Sequence, residues 1–142
     1  MIRAALLLTA LALPAHAAQT ESEYRDMLCG GQGWQMEVRL PNGTRADCMT
    51  DRLAIEIDFG QHWAEAIGQS LNYAAVTGKQ PAVILICKRG TEAKCLNWSL
   101  LLSETASCWR LPIVVWNCPA NVTTLEECKI QDFSAVNSGE CR

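Results

Sequence analysis

Apolar and polar positions alternate in short runs through the first half of the chain and lengthen into apolar blocks in the middle. Trp34 to Leu40 and Arg45 to Met49 carry the period of two expected of strands. Between them Pro41-Asn42-Gly43-Thr44 is a strong turn signal, so the two runs should pair antiparallel as a hairpin. Leu53 to Phe59 predicts a third strand. Gln61 to Val76 has helical period and is stopped by Thr77-Gly78-Lys79. Pro81 to Cys87 is continuously apolar, as expected of a central strand buried on both faces. Upstream, Glu21 to Leu28 predicts a short helix, capped by Thr20 or Ser22 and stopped by Gly30-Gly31. Downstream, Thr91 to Ser103 predicts a helix that turns Trp98, Leu101 and Leu102 toward the core, and Pro112 to Trp116 a further strand. Asn117 to Arg142 has few large apolar residues and reads as a tail held down by cysteines. The expected fold class is α/β (α+β). It has a mixed central sheet with core order αβββαβ and a right-handed crossover, then a further helix, a strand and a disulfide-stapled tail.

The stretch Ile2 to Ala17 stands apart from this pattern. Arg3 supplies a positive start, Ala4 to Leu13 is apolar but too short to span a bilayer, and Ala15-His16-Ala17 fits a small-x-small cleavage site. This predicts a signal peptide over 1–17, a single domain over 18–142, and export to the periplasm or the medium. At 142 residues with 49% hydrophobic content, one domain with a sizeable core is expected. Losing Arg3 from the 12 basic residues leaves a net charge of −4 against 15 acidic ones. Such a balance argues against broad, metal-free attraction to a phosphate backbone. It leaves room for a nuclease whose metal ions offset local acids. Eight cysteines in an exported chain predict four disulfides and no free thiol, with 105 conceivable pairings. Cys29 with Cys48 is the pairing favoured here, because both flank the strand pair around Glu37. No CxxC occurs, which argues against structural zinc and thioredoxin-like chemistry.

Candidate chemistry concentrates between Arg45 and Tyr73. Glu56 and Asp58 are two apart, so on a strand they share a face, while Ile55, Ile57 and Phe59 take the other. The two acids either face water or are buried and then paired, protonated or metal-bound. On the following helix His62, Glu65, Gln69 and Tyr73 fall within a stripe roughly 80° wide, and Trp63, Ile67, Ser70 and Ala74 form a second stripe about 100° away for packing. The polar stripe is either a solvated face or lies beside the acids.

These residues resemble the PD-(D/E)xK nuclease superfamily, the restriction-endonuclease-like fold. Asp47 matches the core aspartate on one strand, Glu56 the acid on the next, and Gln69-Ser70-Leu71-Asn72-Tyr73 the Gln-x-x-x-Tyr of the following helix. Glu37 matches the extra acid that several branches place earlier. A closer similarity is to small secreted bacterial proteins of unassigned function sharing the text DGTRxDC, AIExDF and KWAEAIGQ, matched here by Asn42-Gly43-Thr44-Arg45, Asp47-Cys48, Ala54-Ile55-Glu56 and Trp63 to Gln69. The resemblance implies Mg²⁺ or Mn²⁺ held by Asp47, Glu56 and Asp58. It implies hydrolysis of DNA or RNA with His62, Gln69 and Tyr73 around the site. One departure stands out: the family lysine two residues after the second acid is Asp58, so His62 or Lys79 would have to replace it. The competing expectation is a non-catalytic exported module that binds an unknown protein partner. A cleft filled by Trp34, Trp109 or the tail would favour that alternative.

Overall fold

The computed structural model describes residues 18, 20–134 and 141. The expected signal peptide over 1–17 lies outside the described residues. Helix α1 (Glu21–Gly31) opens on a capping box: Thr20 accepts the Glu23 amide, and the Glu23 carboxylate accepts the Thr20 amide. Three strands follow, β1 (Gln35–Arg39), β2 (Arg45–Met49) and β3 (Leu53–Phe59). A 3-10 turn (Gly60–His62) leads into α2 (Trp63–Thr77), which ends on Gly78 in the left-handed conformation (φ 69°). Then come β4 (Gln80–Ile86), α3 (Glu92–Cys108), β5 (Val114–Cys118) and β6 (Lys129–Asp132).

The six strands lie side by side in sequence order. β1, β2 and β3 are antiparallel to one another, β3, β4 and β5 are parallel, and β6 is antiparallel to β5. The leading elements therefore follow the expected αβββαβ order in a mixed sheet. Alternation along the strands feeds two layers. Ile55, Ile57 and Phe59 of β3 and Ile84 and Ile86 of β4 pack with Tyr24 and Leu28 of α1. Val83 and Leu85 of β4 pack on the opposite face with Ala66 and Ile67 of α2 and Leu102 and Ala106 of α3. β4 is buried on both faces because helices cover both, which is why its sequence is apolar without alternation.

All four disulfides form: Cys29–Cys48, Cys87–Cys95, Cys108–Cys141 and Cys118–Cys128. Such cladding fits an oxidising, exported environment. Among the described residues no helix is long and apolar enough to cross a membrane.

Three details add to or differ from the expectation. The tail is stapled by Cys118–Cys128 and Cys108–Cys141 as expected, and residues 129–132 also add an antiparallel edge strand to β5. α3 runs on to Cys108, and Leu101 on it is exposed whereas Leu102 is fully buried. Trp98 is half-buried and lies over Gly60, where a Cβ would stand 2.8 Å from its Cε3. The 3-10 turn thus passes under α3 only because residue 60 has no side chain.

Candidate functional site

The hairpin turn fixes one rim of the site. Asn42 accepts the Thr44 amide and hydroxyl at 3.2 and 2.7 Å, and Gly43 supplies the positive φ of 85°. Asn72 of α2 then bonds both Asn42 and Thr44 at 3.1 Å. The β1–β2 turn is thereby pinned to α2, and the Cys29–Cys48 bridge holds the other side of β2 to α1.

Asp47 sits next to that bridge. Regular β2–β3 register is recorded for Cys48↔Ile55 and Met49↔Ala54. Beyond it the Asp47 side chain enters the ladder, with Oδ2 accepting the Ile57 amide at 2.9 Å. Across from it on β3, Glu56 is 6% exposed and its Oε2 accepts the Tyr73 hydroxyl at 2.8 Å. The same hydroxyl is 3.2 Å from Gln69 Oε1. Asp47, Glu56, Gln69 and Tyr73, with Thr44 and Asn72 at the rim, line one cavity of about 490 Å³.

The electrostatics follow from that enclosure. Burial, and next the charge of Asp47, push the Glu56 carboxyl up to about 9. Burial also raises Asp47, opposed by the hydrogen bonds it receives from the Ile57 amide and from Glu56. Both carboxyls are thus raised, and Glu56, pushed up the further, is the one that keeps its proton near neutral pH. Two carboxyls this close ionise as a unit. Burial and the Glu56 charge raise the Tyr73 phenol, so it remains a donor.

Asp58 stands in a neighbouring group. It is 4% exposed, its Oδ1 accepts the Phe59 amide at 2.7 Å, and His62 Nδ1 lies 2.9 Å away. Glu21, from the start of α1, joins them, and ligand atoms of the three lie within 4.8 Å of one another. The bond to Asp58 raises His62, and burial together with Asp58 raises Glu21 to about 7. The 3-10 turn is responsible for this separation. It folds His62 back over Asp58 instead of starting α2 there, so Asp58 is absent from the lining of the Asp47–Glu56 cavity while its charge still raises Glu56.

The polar stripe expected on α2 therefore divides. Tyr73 turns inward, Gln69 is exposed at the cavity rim, Glu65 is exposed, and His62 belongs to Asp58. Ser70 and Ile67 pack as expected, whereas Trp63 and Ala74 are only half-buried and Ala66 takes the central packing position. Glu37 pairs with Arg25 and Arg45. Lys79, a candidate for the missing cation, donates to the Thr50 and Asp51 carbonyls at 2.8 and 2.9 Å. There it holds the β2–β3 turn, where Leu53 pairs with Gln80, and it does not line the cavity. Trp34 packs against Trp116 with centroids 6.0 Å apart, and Trp109 is 73% exposed, so neither fills the site.

Sequence reasoning missed Glu21, Arg25, Arg45 and Lys88 as neighbours of the acids. Arg45 was legible in principle, because it alternates with Asp47 on one strand. Glu21, Arg25 and Lys88 arrive from elements whose packing no local pattern announces. Compared with known proteins, the chain matches no family model, and neither a curated protein nor a solved structure matches it.

Proposed function

We propose that this chain is an exported PD-(D/E)xK-like domain, released behind Ala17, whose Asp47–Glu56 pair holds Mg²⁺ or Mn²⁺ for hydrolysis of phosphodiesters in DNA or RNA. The observation that carries the reading is the convergence of Asp47, Glu56, Gln69 and Tyr73 on one cavity that Trp34 and Trp109 leave open. The αβββαβ order of the leading elements supports it.

The donor set fits a hard divalent cation, since it offers carboxylate oxygens and a proton that such an ion displaces. When bound, the ion would supply a water of lowered pKa and offset charge on the phosphate. The chain's own residues do the positioning. The Ile57 amide orients Asp47, the Tyr73 hydroxyl fixes Glu56, and Gln69 at the rim meets the substrate. His62, bonded to Asp58, is the nearby group able to carry a proton near neutral pH.

A second reading has its own support. The position of the family lysine holds Asp58, whose neighbours are His62 and Glu21. This favours a domain that keeps the cation and has lost the hydrolytic step, serving as a binding module for a protein partner.

The test incubates mature protein with DNA and RNA, with and without Mg²⁺ or Mn²⁺, beside Asp47→Ala. Metal-dependent cleavage lost in Asp47→Ala supports the hydrolase. A metal-raised melting midpoint without cleavage supports the binding module. Neither cleavage nor a metal-dependent midpoint refutes both. Mass spectrometry of exported protein beginning at Ala18 would support the processing site, and a species retaining Met1 would refute it.

A further inference from the structure

The cavity at Asp47 continues beyond it. On the α1 side a second cavity of about 540 Å³ opens, and Arg45 and Asp47 belong to both linings. Its wall adds Arg25, Glu37 and Lys88. Carboxylates repel an anionic substrate, so a site that takes a phosphodiester needs fixed cations beside them. Arg45 is the cation that borders both cavities.

Three observations bear on how Arg45 is held. Glu37 Oε2 lies 2.6 Å from Arg45 Nη1, while Glu37 Oε1 is taken by Arg25. Glu37 also has φ 56° in mid-strand, a left-handed conformation that a non-glycine residue rarely adopts. It interrupts the β1–β2 register between Met36↔Cys48 and Val38↔Ala46, opposite Asp47. Finally, the Arg45 side chain is 54% exposed against 16% for Arg25, so Arg45 retains surface for a ligand while Arg25 serves as a buried brace. Lys88, exposed just after β4, carries its ammonium 5.2 Å above the Phe59 ring and faces the same cavity.

We infer that Arg45, clamped by Glu37, and Lys88 form a phosphate subsite that seats a nucleic-acid backbone beside the Asp47–Glu56 pair. The inference rests on the proposed function and names the surface that holds the substrate. The arginine fork engages two oxygens of one phosphate, and the lysine, as a point charge, engages a neighbouring one. The Glu37 carboxylate, shared between Arg25 and Arg45, is what keeps the fork aimed.

The test measures binding of a short fluorescein-labelled single-stranded DNA by anisotropy, in Ca²⁺ and across a salt series. Mg²⁺-dependent melting of each variant is followed in parallel. Arg45→Gln should weaken binding about tenfold, the value of one charge-assisted contact. Its log–log salt slope should become shallower by about 0.7 per lost phosphate contact. Arg45→Lys should fall between, and Lys88→Gln, at an exposed position, should weaken binding without altering the melt. Glu37→Gln discriminates best. Removing a negative charge should tighten binding if only net charge matters, and should weaken it if the clamp aims Arg45. Tighter binding by Glu37→Gln, wild-type affinity in Arg45→Gln and Lys88→Gln, or no binding by wild type would each overturn the inference. A metal-raised melt retained in Arg45→Gln would leave the carboxylate site standing whatever the DNA result. Arg45-dependent DNA binding with no metal effect in wild type would uphold the subsite and refute the metal site.

Discussion

Glu56→Gln probes the site without emptying it, because the amide keeps the volume and removes only the ionisation. An unfolded glutamate is charged above about pH 4.5, whereas folded Glu56 keeps its proton to about 9. Between those values the native state holds one proton more than the unfolded chain, so stability falls as pH rises. The slope for one such group is about 1.4 kcal/mol per pH unit. From about pH 6.5 to 8.5 wild type should therefore lose about 2.7 kcal/mol more than Glu56→Gln, or on the order of 10 °C in midpoint for a domain of this size. Glu21 and His62 are also raised and act in the same direction, but they are common to both proteins and cancel in the difference. Urea titrations at each pH, disulfides intact, would measure it. A divalent cation at a hundredfold its Kd should add about 2.7 kcal/mol to wild type. Its apparent affinity should rise about tenfold per pH unit below 9, since the proton must leave. Parallel pH profiles for wild type and Glu56→Gln would mean that Glu56 is ionised in the fold, and the shared-proton account of the pair would be refuted.

Further expectations rest on single contacts. Tyr73→Phe removes the hydroxyl that donates to Glu56 Oε2 and should cost about 1–3 kcal/mol in denaturant titration, with Glu56 pushed higher still; a neutral result would mean the carboxyl finds another donor. Gly60→Ala would force a Cβ to within 2.8 Å of Trp98 and should destabilise by about 1–3 kcal/mol in thermal melts, and an unchanged melt would show that Trp98 moves freely. Thiol titration of mature protein in denaturant without reductant should find none, because all eight cysteines are paired; two free thiols would remove one bridge from the fold. Lys79→Met should cost about 1 kcal/mol by removing its bonds to the two turn carbonyls, while binding of divalent cation, followed by calorimetry, stays as in wild type; a lost cation signal would return Lys79 to the site.

The chain's local patterns determined its elements. Period-two alternation located β1 to β3, the Asn42-Gly43 turn made the hairpin, and Gly78 closed α2, because each depends only on neighbouring residues. The continuous apolar run at β4 announced burial on both faces. Even the Asp47, Glu56, Gln69 and Tyr73 grouping was legible, since strand and helix periods set which side chains share a face. Tertiary structure decided the rest. The short edge strand β6 has no exposed-to-buried alternation of its own and forms because the Cys118–Cys128 bridge returns the chain beside β5. Asp58 and His62 pair through a 3-10 turn whose course depends on Trp98 from a distant helix. The charge state of Glu56 was beyond any local signal. It arises from burial and from Asp47, two properties that exist only once α2 has closed over the sheet.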